Sequence, residues 1–76
     1  LDVVKSIINA MDNYKIDKDI QLYGCETLNN LLDTKQSEII LMGMNVDDTI
    51  ICTMNNFIND KNVQEQCFIV FKKNYQ

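Results

Sequence analysis

The 76-residue chain predicts an all-α protein made by internal repetition, on three observations. Residues 3–32 align without a gap onto residues 46–75 at an offset of 43, apolar residues recur at helical spacing in both copies, and neither proline nor an Asn-Gly or Asp-Gly hairpin signal occurs. The identical pairs are Val3/Val46, Ile7/Ile50, Ile8/Ile51, Met11/Met54, Asn13/Asn56, Asp17/Asp60, Lys18/Lys61 and Gln21/Gln64, eight of thirty. A composition rich in Ile, Asn and Asp would give roughly two or three by chance. Self-similarity at this period is the mark of stacked repeats.

The first element is expected over residues 2–14, where Val3, Val4, Ile7, Ile8, Met11 and Tyr14 lie on one helix face and Asp2 stands at the N-cap. Its counterpart, residues 46–58, has Asn45 as cap, the stripe Val46, Ile50, Ile51, Met54 and Phe57, and Asp47 and Asp48 in the first turn, where the helix dipole favours negative charge. Polar connectors follow at 15–19 and 59–62. Asp17 and Asp60 are matched candidates to cap the next helices, because a short carboxylate accepts from the free N–H groups of an opening turn.

Those helices, 18–32 and 62–75, carry Ile20, Gly24, Leu28, Leu31 and Leu32 in one copy and Val63, Cys67, Phe71 and Tyr75 in the other. Between the copies, Ile39, Ile40, Leu41 and Met42 suggest a short helix over 35–42, closed by Gly43 at a position tolerant of positive φ. The count is about five helices, joined as helical hairpins require.

With 46% apolar residues the chain is one folding unit, and at this size it buries only about 60% of its unfolded surface. It starts at Leu1 inside a helical pattern, which reads as an excerpt of a longer protein. A net charge of −4, with seven scattered positive charges, argues against a nucleic-acid footprint. No membrane span or signal peptide is visible. Cys25, Cys52 and Cys67 form no C-x-x-C pair and have no histidine to complete a zinc set, so they read as small buried hydrophobes in a reduced, intracellular, cytoplasmic setting.

In register, Asp17, Ile20, Gln21, Gly24, Cys25, Leu28, Asn30 and Leu31 form D-x-x-I-Q-x-x-G-C-x-x-L-x-N-L, which resembles the third helix of an armadillo repeat. The second copy keeps Val63, Gln64 and Phe71 but has Cys67 for the glycine and Lys73 for the asparagine. The resemblance implies a right-handed alpha-alpha superhelix: residues 2–33 as second and third helices of one repeat, residues 34–75 as one complete repeat. A HEAT repeat is the nearest rival, with two helices per unit; Gly43 and the short helix favour armadillo.

By that resemblance the segment is a non-catalytic protein-interaction scaffold whose third helices line a concave groove for a protein or peptide. The candidate contacts are Glu26, Asn29, Asn30 and Asp33 with Ile69, Lys72 and Lys73. The competing reading of these residues is a solvated helix face, with Lys72 and Lys73 following the preference for cations in a last turn. Import receptors of the armadillo class use tryptophan–asparagine pairs; here Glu26 precedes Asn30 by four and Ile69 precedes Lys73 by four, which disfavours nuclear-signal binding. No histidine, Gly-rich phosphate loop or G-x-S-x-G supports an enzyme, and the calcium-loop-like run from Asp12 lacks its central glycine, so no cofactor or metal is expected. The alternative from another class is a spacer within a longer solenoid. Uncapped ends predict that the isolated segment forms a homo-oligomer, by end-to-end stacking or helix exchange.

Overall fold

The repeat resolves into two helical hairpins that pack side by side. The computed structural model describes residues 2–41, 43 and 46–74, in the order α1 (Asp2–Asn13), α2 (Lys18–Leu41), α3 (Val46–Asn56) and α4 (Lys61–Asn74), with no strand among the described residues. Asn45, the side chain of Asp2 and Tyr75, expected as two caps and a core residue, lie outside the described residues. Helix α1 packs on α2 and α3 on α4; between the hairpins α2 lies along α4 over a long contact, and α1 meets α3 over a shorter one.

Each hairpin turn is held by the same bonds. Asp17 Oδ1 accepts from Ile20 N at 3.2 Å, and Asp60 Oδ1 from Val63 N at 3.1 Å, so both aspartates cap the helix that follows. The Gln21 amide donates to Met11 O (3.0 Å) and Tyr14 O (2.8 Å); the Gln64 amide donates to the aligned Met54 O (2.8 Å) and Phe57 O (2.7 Å). A helix ends with its last carbonyls unmet by its own backbone. Here one glutamine per hairpin reaches two of them, Tyr14 O and Phe57 O also accepting from Asp17 N and Asp60 N at 3.0 Å, and the turn needs neither glycine nor proline.

Four helices stand where about five were expected. The third and short first helices of the armadillo register run on as one 24-residue α2, broken only at Lys35, whose φ of −131° and ψ of 22° leave helical geometry for a single residue. Residues 33–37 hold no Gly or Pro to stop the helix. Just before the break the Thr34 hydroxyl reaches the carbonyls of Asn30 (3.4 Å) and Leu31 (3.5 Å), a back-bonding pattern that bends helices rather than ending them. Beyond the bend Ile39 enters the core, and Gln36 Nε2 donates to Lys73 O at 2.7 Å near the end of α4. Gly43 follows at φ 65°, the left-handed conformation expected of it.

One continuous core joins the hairpins, with Val4, Ile8 and Met11 from α1, Leu28 and Leu32 from α2, Val46 and Ile50 from α3, and Val63, Cys67 and Val70 from α4. Val3, Tyr14 and Ile51 of the expected apolar stripes are exposed instead, and the polar Gln21, Thr49 and Thr53 are buried. Gly24 makes room for α1: a Cβ there would stand 2.5 Å from Met11 Sδ and 2.7 Å from its Cγ.

Candidate interaction surface

All seven candidate contacts lie on α2 or α4. Glu26, Asn30 and Asp33 are exposed on α2, and Lys72 is exposed on α4 beside Ile69 at 38% exposure; Asn29 and Lys73 are half-buried. The two helices are tied together by Lys73 Nζ and Asp33 Oδ1 at 2.6 Å. Two of the candidate charges therefore already neutralise one another, leaving Glu26, Asn30, Ile69 and Lys72 as the outward groups. Asn29 Oδ1 is buried and takes no hydrogen bond.

The seam between hairpins is polar at its edges and apolar within. Lys18 Nζ meets Asp60 Oδ2 at 2.6 Å, so one copy's lysine pairs with the other copy's helix cap. That hydrogen bond, with those from the Val63 and Asn62 backbone, holds the Asp60 carboxyl below its ordinary range. Thr49 Oγ1 donates to Asp12 Oδ1 at 3.0 Å, and Thr53 Oγ1 donates to Gln21 Oε1 at 2.6 Å in a site where Gln21 is 1% exposed. Every polar group of Gln21 is thus engaged, as burial requires.

At the centre of the seam Cys25 Sγ and Cys67 Sγ lie 3.7 Å apart, both buried, while Cys52 is half-buried. The hydrogen bond with Cys67 and burial push the Cys25 thiol far above its usual range. A protonated, enclosed thiol such as that of Cys25 is a poor nucleophile. Among the described residues no group of three or more His, Cys, Asp and Glu is placed to hold a metal ion, and no helix is long and apolar enough to cross a membrane.

A second surface went unnoticed in the residue pattern. On the side of α1–α2 away from α3–α4, a groove of about 210 Å³ runs between Ile7, Ala10, Ile20, Tyr23 and Thr27, floored by Gly24 and Met11. The signal was present in the alignment: of the seven matching positions in the second copy, Ile50, Thr53, Val63, Cys67 and Val70 are buried, and Met54 and Gln66 are half-buried. The groove is the first copy's counterpart of the face that the second copy buries against the first.

No protein-family model, no curated protein and no solved structure matches the chain.

Proposed function

We propose that this segment is a non-catalytic scaffold for protein–protein contact, binding a protein or extended peptide partner across the joint face of α2 and α4. The observation that carries the reading is the stacking of two hairpins with identical turn bonds, which sets equivalent helices side by side as one continuous surface. The long α2–α4 contact against the shorter α1–α3 contact supports a curve with α2 and α4 on its inner side, as in an armadillo-like right-handed superhelix. In that register Lys35 marks the joint between the third helix of one repeat and the first of the next.

The test is selection of extended peptides from a display library against the chain, followed by titration of the best binder. Replacing Glu26, Asn30 and Lys72 together with alanine should weaken that binder more than tenfold, about 1.4 kcal/mol or more, at unchanged melting temperature. All three side chains are exposed, so the fold does not depend on them. Unchanged affinity would place the binder elsewhere and reject the groove reading.

One observation favours the alternative, a spacer that only joins or stiffens a longer stack. The Asp33–Lys73 pair commits two charges of the face to each other. Failure of selection at the α2–α4 face, with the stack intact, is what a spacer predicts.

A further inference from the structure

We infer that a second copy of this chain stacks head to tail on the first, its α3–α4 hairpin seated on the α1–α2 groove in the register that already joins the two hairpins within one chain. This joint uses the ends of the stack rather than the α2–α4 face, so it stands or falls separately from peptide binding there.

The internal seam supplies the template. Each of its contacts pairs a first-copy residue with a second-copy residue. Shifting the former forward and the latter back by 43 positions names the residues that would meet between two chains. Cys25 against Cys67 becomes Phe68 of one chain against Gly24 of the next. Phe68 is an outward phenylalanine, 59% exposed, and Gly24 has no side chain and floors the apolar groove. The exposed ring of Phe68 thus faces an apolar groove whose floor is Gly24 with the Met11 side chain packed against it. A ring is buried where the groove walls, Ile7, Ile20 and Tyr23, are apolar.

The polar edge transfers as well. Lys18–Asp60 becomes Lys61–Asp17; Lys61 is held only by a 4.0 Å contact to Glu65, with its side chain 91% exposed, and Asp17 makes no ion pair among the described residues. The hydroxyl of Thr49 on Asp12 becomes that of Ser6 on the side-chain oxygen of Asn55, donor and acceptor preserved. Asn56 donating to Lys15 O becomes Asn13 donating to Ile58 O, with the same residue as donor.

Some seam bonds have no counterpart: the Asp33–Lys73 ion pair falls on the uncharged Gln76 and Asn30, the Gln36 bond to Lys73 O falls on no position within residues 1–76, and a buried hydroxyl bond is lost. Thr53 donates to Gln21, but Ala10 stands where Thr53 would and offers nothing to Gln64. The joint between chains is therefore weaker than the seam within one, and it is improvable at a known atom.

Such a joint is heterologous: the surfaces that meet differ, and each added chain presents the same free end as the last. Sedimentation of the wild-type chain over a dilution series should show mean mass rising past the dimer with concentration. Phe68→Ser should weaken association about ten- to a hundredfold. Lys61→Glu, which sets like charges together, should weaken it several-fold in low salt and less in high salt. Ala10→Thr, restoring the missing hydroxyl, should strengthen it several-fold. Phe68 and Lys61 are exposed, so these changes leave the chain folded, and the gain at Ala10 cannot arise from misfolding. A chain that stays monomeric overturns the inference, as do growth that stops at a closed dimer, association indifferent to Phe68→Ser, and Ala10→Thr that fails to tighten the joint.

Discussion

Ile7 and Ile50 occupy the same place in the two hairpins and meet opposite fates, as do Ile8 and Ile51. Ile50 is fully buried while Ile7 is half-exposed; Ile8 is 5% exposed and Ile51 45%. Each hairpin has two apolar sides, and the first hairpin buries one of them while the second buries the other. Identical residues in identical local structure thus contribute differently because of what lies beside them. In a stacked protein, stability resides in the seams as much as in the units.

The sharpest way to break this comparison is to cut the same side chain from each copy. Ile50→Ala opens a cavity in the seam and should cost about 2–5 kcal/mol, while Ile7→Ala should cost less than about 1.5 kcal/mol, read as a difference in urea midpoints on a dilute, monomeric sample. Equal losses would mean that the hairpins are stabilised independently. Next comes the glutamine pair. Gln21→Leu removes three side-chain hydrogen bonds at a residue only 1% exposed, at about 2–3 kcal/mol; Gln64→Leu removes two at a half-buried residue, at about 1 kcal/mol. Gly43→Ala, in the link between the copies, should cost about 1–2 kcal/mol because a Cβ is strained at φ 65°.

The smallest effect separates the two caps. Asp17→Ala should cost about 1 kcal/mol. Asp60→Ala should cost more, because Asp60 also holds Lys18, and Lys18→Ala should erase that excess. The Asp60 carboxyl is lowered in the folded chain, so its contribution is fully present above the ordinary carboxylate range near pH 4 and is lost as the pH falls through the lowered value. Acid titrations of wild type and Lys18→Ala, followed by circular dichroism, should therefore converge at the acid end.

The repeat, the helical class, both aspartate caps and the positive φ of Gly43 were legible because each is a local matter of spacing or backbone sterics. The single α2 was not, since the only mark of its bend is a threonine hydroxyl that bonds backward instead of a residue that stops a helix. Nor was the burial of Thr49 and Thr53, polar residues whose partners Asp12 and Gln21 belong to the other hairpin. The α2–α4 face was legible as residue types, but its Asp33–Lys73 tie depends on how two helices distant in sequence lie together. The groove at Gly24 needed the seam itself, because only the second copy's burial reveals what the first copy's exposed side is shaped for.

The glutamine clamps also bear on the order in which the chain assembles. Each reaches back only 10 and 7 residues, so a hairpin can close its own turn before any contact with the other is made. Closing so short a loop takes well under a microsecond, whereas the seam joins residues up to 42 apart, as at Cys25 and Cys67. Folding is then expected to begin twice, once at each glutamine, and to finish once, when the two hairpins find their register.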